Sequence, residues 1–129
     1  MLDNLTANTL SIEVIKMDDK ELIELLWKGK SVDLAPDSYL LPFFDNVISE
    51  LKLLNYSVVI NFFQLVYMNS STMNSIIFFI KKLLEEKIKA KVIYNRDLKW
   101  QALNFSTLDV FVTKDGLFQV EDAHMTWKL

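Results

Sequence analysis

The sequence predicts an α/β protein with a mixed sheet of about four to six strands packed against about three to four helices. The chain has 129 residues, the usual length of one domain, and 51% of them are hydrophobic. Strand-like and helix-like segments alternate along it, and residues 57–66 are apolar at nearly every position, as in a central strand covered on both faces. We therefore expect one domain over residues 1–129, with residues 1–9 and 122–129 as loose termini.

The first half of the chain predicts two strands and a helix. Leu10–Met17 and residues 21–27 are strand-like and are separated by a polar turn, which predicts an antiparallel pair. Pro36 and Asp37 are typical of the start of a helix, and apolar residues then recur at spacings of three and four as far as Asn55. The buried face of this helix is predicted to comprise Leu40, Phe44, Val47, Ile48, Leu51 and Leu54.

The second half predicts a helix that connects two parallel strands. Residues 72–89 have the clearest helical spacing in the chain, and residues 91–94 form the strand that follows. We expect this strand to lie beside residues 57–66 and parallel to them. On the helix we expect Met73, Ile77, Ile80 and Leu84 to form the buried stripe, and Ser75, Phe78 and Lys82 to face solvent.

The C-terminal third predicts shorter elements. Asp97 is suited to cap a brief helix through Leu103, and residues 108–112 have the composition of a strand. A turn over residues 114–116 then lets residues 117–120 fold back as an edge strand.

Residues 58–77, VVINFFQLVYMNSSTMNSII, resemble the central signature of the STAS (anti-sigma factor antagonist) family. In that family a buried strand ends in Asp-Ser-Ser-Gly or Asp-Ser-Gly and continues directly into a helix. Asn69 stands at the aspartate position, Ser70 at the position of the serine that a partner kinase phosphorylates, and Thr72 at the glycine position. The likeness extends over residues 22–112 and implies a STAS-like fold and a cytoplasmic bacterial regulator in signal transduction.

The likeness also implies partners for such a regulator. These are a serine kinase of the anti-sigma type, which acts as a switch protein, and a serine phosphatase that resets the phosphoprotein. The implied phosphorylation sites are Ser70 and Ser71. From the residues alone, hydroxyl groups at this place are also ordinary helix caps, and both interpretations stay open. A phosphate at a helix N-terminus meets free N–H groups and the positive end of the helix dipole, so the fold should tolerate it.

The predicted partner-binding surface surrounds the start of this helix. Phe78 points away from the predicted buried stripe, which makes it a candidate contact for a partner, although another part of the chain or a homodimer could also cover it. The full set of predicted contacts is Asn69, Thr72, Asn74, Ser75 and Phe78.

Composition argues against several other classes of protein. The chain lacks cysteine, carries a net charge of −3 with its lysines interleaved with acids, and has a single histidine, His124. These features give no support for thiol chemistry, for binding to the nucleic-acid backbone, for a metal or cofactor site or for acid/base catalysis. The longest apolar run, residues 57–68, is broken by Asn61 and Gln64 and is too short for a membrane span. We expect a protein-protein interaction module that is not an enzyme. A STAS-like scaffold without phosphorylation and a small-ligand sensor remain as alternatives.

Overall fold

The computed structural model describes residues 2–124. This part of the chain contains seven strands, three α-helices and two short 3-10 helices, Asp18–Lys20 and Ser106–Phe111. The strands are β1 (Leu5–Ala7), β2 (Leu10–Met17), β3 (Leu22–Ser31), β4 (Ser57–Asn61), β5 (Leu65–Met68), β6 (Ala90–Asn95) and β7 (Phe118–Ala123). The helices are α1 (Asp37–Leu54), α2 (Ser70–Glu85) and α3 (Lys99–Phe105).

The strands form one mixed sheet in the order β1-β2-β3-β4-β6-β7, with β5 also paired to β3. β1, β2 and β3 are antiparallel neighbours, whereas β4, β5, β6 and β7 are parallel to the strands they pair with. The α/β class with a mixed sheet packed against helices is thus confirmed. The predicted neighbours β4 and β6 are adjacent and parallel, and α2 connects them.

The segment over residues 57–66 forms two strands, not the single strand predicted. A turn after Asn61 separates β4 from β5, and β3 pairs first with one and then with the other. The side chain of Asn61 accepts a bond from Phe63 N–H at 2.9 Å, and Gln101 Nε2 donates to the carbonyl oxygens of Phe62 and Leu65 at 2.7 and 2.9 Å. The apolar sequence pattern gives no sign of this turn, because Gln101, which bonds two of its carbonyl groups, is distant in the sequence.

The C-terminal third differs from expectation in two places. Residues 108–112, predicted as a strand, lie mostly in the 3-10 helix Ser106–Phe111, where Leu108 is buried and Val110 is exposed. This short β-prone stretch follows α3 directly and pairs with no strand among residues 2–124, so local propensity does not decide its structure. β7 lies at the edge of the sheet as expected, but it is parallel to β6.

The buried stripe of α2 is rotated by about one residue from the predicted one. Of the four residues predicted to be buried, Ile80 is fully buried, and Met73, Ile77 and Leu84 are half-buried. The Phe79 ring stacks on Phe44 of α1 with ring centroids 4.2 Å apart. This contact selects one of two overlapping apolar stripes, and the buried residues of α2 are Thr72, Ser75, Ile76, Phe79, Ile80 and Leu83.

The predicted loose termini are partly ordered into the sheet. Residues 5–7 form β1, and the backbone N–H of Val14 bonds Asn4 Oδ1 at 2.7 Å, which ties the N-terminal segment to β2. Residues 122–123 complete β7. Met1 and residues 125–129 lie outside the described residues. Between residues 2 and 124, the helices lack the combination of length and apolar character that crossing a bilayer requires.

Candidate functional site

The start of α2 lies at the carboxyl ends of two adjacent parallel strands. Met68 at the end of β5 is in register with Ser31 at the end of β3, and Asn69 N–H donates to the Ser31 carbonyl at 3.0 Å. The loop over residues 32–36 leaves β3 at the same place. Ligands and partners of parallel sheets commonly bind at this end of the strands, where loops and helix N-termini meet.

Asn69 is the residue that caps α2. Its Oδ1 accepts bonds from the backbone N–H and the hydroxyl of Thr72, at 3.0 and 2.9 Å, and its Nδ2 donates to the carbonyl of Asp33 at 2.9 Å. Asn69 is half-buried, and its amide is used within the chain. Although residues 69–72 all have side chains that can cap a helix, Asn69 is the one that caps α2.

Ser70 is the first residue of α2, and its side chain faces solvent. Within residues 2–124 no group bonds its hydroxyl or its backbone N–H, and the N–H of Ser71 is equally unengaged. Ser71 is half-buried, and its carbonyl accepts a bond from Ser75 Oγ at 3.3 Å. An exposed hydroxyl therefore lies beside two free N–H donors at the positive end of a helix.

Thr72 and Ser75 are not available for partner binding, which corrects the prediction for both. Thr72 is 0% exposed, and its hydroxyl lies 2.6 Å from Ser31 Oγ. Ser75 is 2% exposed and donates to a carboxylate oxygen of Asp37 in the first turn of α1. Both hydroxyls satisfy polar groups within the protein and bind α2 to β3 and α1, because the rotated stripe turns these positions inward.

Asn74 and Phe78 remain exposed, as predicted, on the outward face of α2. The Phe78 side chain is 46% exposed, and the ammonium group of Lys82 lies 5.2 Å from its ring centroid. Lys82 also bonds a carboxylate oxygen of Asp45 on α1 at 3.2 Å, so it is half-buried, not freely exposed as predicted. Phe78 is therefore partly exposed, with the Lys82 ammonium group near its ring.

The loop between β3 and α1 completes the site. Asp33 Oδ2 accepts bonds from Tyr39 OH and Asn8 Nδ2, both at 2.7 Å. These bonds lower the pKa of Asp33 below its usual value. Burial, with the Asp33 carboxylate beside it, raises the pKa of Tyr39 to about 12. The carboxylate is therefore ionised and holds the loop in place.

This fixed loop presents apolar side chains to solvent. Leu34 is 94% exposed and Val32 is 46% exposed, and they flank Asp33, whose carbonyl contacts Asn69. An exposed apolar side chain held on a rigid loop is typical of an interaction surface. We name the surface made by Val32, Leu34, Ser70, Asn74 and Phe78 the docking surface.

Comparison with known proteins does not identify a family. No protein-family model and no curated protein sequence matches the chain. The resemblance of residues 58–77 to the STAS signature therefore stays a prediction from the sequence.

Replacing Asn69 with alanine should lower the free energy of unfolding by about 1–2 kcal/mol, because it removes the cap of α2 and the bond to Asp33. Chemical denaturation measures the change. Asn74→Ala is the matched control, since Asn74 is exposed and lies inside the same helix. It should be neutral or stabilise by roughly 0.5 kcal/mol through helix propensity. Equal losses in the two variants would contradict the assignment of Asn69 as the cap.

Proposed function

We propose that this chain is a cytoplasmic partner-switching regulator similar to an anti-sigma factor antagonist. In its unphosphorylated form it binds a kinase-like switch protein through the docking surface, and phosphorylation of Ser70 releases it. A serine phosphatase restores the binding form. The observation that carries the proposal is the exposed, unengaged hydroxyl of Ser70 at the first position of α2, beside a cap supplied by Asn69.

The local geometry favours Ser70 over its neighbours as the acceptor. A kinase must reach the hydroxyl from solvent, and Thr72 is fully buried while Ser71 is half-buried. The Ser70 side chain does not cap α2, so phosphorylation of Ser70 leaves the start of the helix intact. Ser71 is the second acceptor, to be separated from Ser70 by peptide mapping.

A phosphate on Ser70 acts at the surface and leaves the fold intact. It adds about two negative charges at the positive end of the helix dipole, next to the free N–H groups of Ser70 and Ser71. A partner seated on apolar side chains such as Leu34 would have to desolvate that charge. Binding is therefore lost while stability is retained, which is the behaviour that a switch requires.

The single acidic variant Ser70→Asp should weaken binding of the kinase-like partner at least tenfold, or about 1.4 kcal/mol, and leave the melting temperature nearly unchanged. Ser70→Ala should bind normally and lose the phosphorylation. Ser49→Asp is the matched control, since Ser49 is exposed on α1 and is not one of the five residues of the docking surface. Titration calorimetry with a purified candidate kinase-like protein measures the affinities.

The phosphate itself is detected by incubation with that kinase, ATP and magnesium, followed by intact-mass analysis and peptide mapping. One added phosphate in the peptide over residues 69–81, absent in Ser70→Ala, supports the proposal. Phosphorylation that persists in Ser70→Ala assigns the acceptor to Ser71 or another residue. Tight binding with no phosphate transfer contradicts the switch and indicates a constitutive scaffold.

A further inference from the structure

The end of the molecule opposite the docking surface contains a cleft of about 500 Å³. It lies where the first 3-10 helix, α1 and α2 end and where β4 and β6 begin. Its volume falls within the range of small-molecule sites in proteins. Its lining includes the side chains of Lys20, Lys52, Tyr56, Lys87 and Lys89.

The walls of the cleft are held by backbone hydrogen bonds. Ser57 N–H donates to the Glu21 carbonyl at 3.1 Å, and Val58 N–H donates to the Lys89 carbonyl at 3.0 Å. Tyr56 N–H donates to the Leu51 carbonyl at 3.0 Å, so this carbonyl at the end of α1 is already satisfied. The hydroxyl of Tyr56 bonds Asp18 at 2.8 Å, which holds its ring at the wall. The cleft is therefore formed before any ligand arrives.

The charge lining the cleft opposes that of the whole chain. The chain carries a net charge of −3, whereas the cleft is lined by four lysines and two glutamates. Lys52 bonds both carboxylate oxygens of Glu86 at 3.2 Å, so the charges of these two residues cancel. In the described part of the chain, Lys20, Lys87 and Lys89 are exposed and have no carboxylate partner. Against these three cations stand one unpaired acid, Glu21, and the negative dipole ends of α1 and α2, each equivalent to about half a charge. The lining therefore keeps a net positive charge of about one.

We propose that this cleft binds a small soluble molecule that carries two or more phosphate groups. Lys20, Lys87 and Lys89 line one hollow, so a compact polyanion with several phosphate oxygens offers partners for more than one ammonium group, whereas a single phosphate offers fewer. The lysines line a concave site on an acidic protein, which does not suit the extended basic surface that nucleic acids require. This inference stands independently of the proposed switch at Ser70.

The probe is sodium pyrophosphate, titrated at constant ionic strength into the full ¹⁵N-labelled chain and followed by amide chemical shifts. We expect saturable shifts at residues 20–21, 55–57 and 87–89, with a Kd of about 1 mM or lower, and a weaker response to inorganic phosphate. The double variant Lys87→Gln and Lys89→Gln should weaken binding at least tenfold. Its own amide spectrum shows whether it is folded.

The matched control is Lys99→Gln with Lys114→Gln, which removes the same charge from exposed lysines outside the cleft. Its affinity should stay within about twofold of the unmodified chain. An equal loss of affinity in this control would show that the lysines act only through net charge, and would overturn the proposal. Chemical shifts that do not saturate, or that are confined to the free amides of Ser70 and Ser71, would also overturn it. Retention on phosphatidic acid vesicles without any response to pyrophosphate would assign the lysines to a lipid headgroup and likewise overturn it.

Discussion

Replacing Gly29 with alanine should lower the free energy of unfolding by about 3–5 kcal/mol, one of the two largest effects that we expect from a single substitution. Gly29 has φ +83°, in the left-handed region that side chains rarely adopt, and an added Cβ would lie 2.1 Å from the carbonyl oxygen of Thr9. That carbonyl accepts a bond from Lys30 N–H at 3.0 Å, and Thr9 Oγ1 donates to the Lys30 carbonyl at 2.8 Å. The backbone of Thr9 cannot retreat without breaking both bonds.

The control for this prediction is Gly116→Ala. Gly116 has nearly the same backbone conformation, φ +81°, but the nearest atom to an added Cβ is the flexible Gln119 Nε2 at 3.4 Å. In this variant the free energy of unfolding should fall by only about 1–2 kcal/mol, which is the cost of holding alanine in the left-handed backbone conformation. Chemical denaturation of both variants separates steric overlap from backbone strain. Similar losses at the two positions would show that Thr9 does not constrain Gly29.

Replacing Phe79 with alanine should lower the free energy of unfolding by about 3–5 kcal/mol, because it removes a buried ring from the contact between α1 and α2. The ring is 1% exposed and stacks on Phe44 with an interplanar angle of 6°. Both the lost apolar burial and the cavity left beside Phe44 contribute to the loss. Thermal or chemical denaturation measures it.

Phe78 provides the matched control, since it is the same residue type one position earlier in the same helix. Phe78→Ala should lower the free energy of unfolding by about 1 kcal/mol or less, because its ring is 46% exposed. The same variant should lower the affinity for the kinase-like partner if Phe78 belongs to the docking surface. A loss of stability at Phe78 equal to that at Phe79 would contradict the orientation of α2.

Much of the fold follows from short-range pattern. Leu10–Met17 and Asp37–Leu54 are elements whose apolar spacing is visible in the sequence. The periods of two and 3.6 residues reflect the geometry of strand and helix, so local sequence suffices to recognise them. The helix between β4 and β6 likewise implied parallel neighbours, because a connection of that length crosses the sheet.

The position of the break between β4 and β5 depends on contacts with residues that are distant in sequence, and the local pattern gives no information about them. Gln101 reaches the turn from α3, at a distance of 36 and 39 residues from the two carbonyls that it bonds. Residues 108–112 have strand-like composition but meet no strand partner. In both places the β-propensity of the segment shows only that its side chains suit a sheet. Whether the segment joins the sheet depends on contacts with residues elsewhere in the chain.

By itself, the sequence determined the α/β class, the order of the main elements and the segment in which the candidate switch lies. Only the tertiary structure decided which residue caps α2 and which face of that helix is buried. Asn69 became the cap because the carbonyls of Ser31 and Asp33 lie beside it, and Ser70 was thereby left free. Phe79 became buried because Phe44 stacks on it. Periodicity locates a helix, but its rotation about its axis is set by the side chains that other elements bring to it.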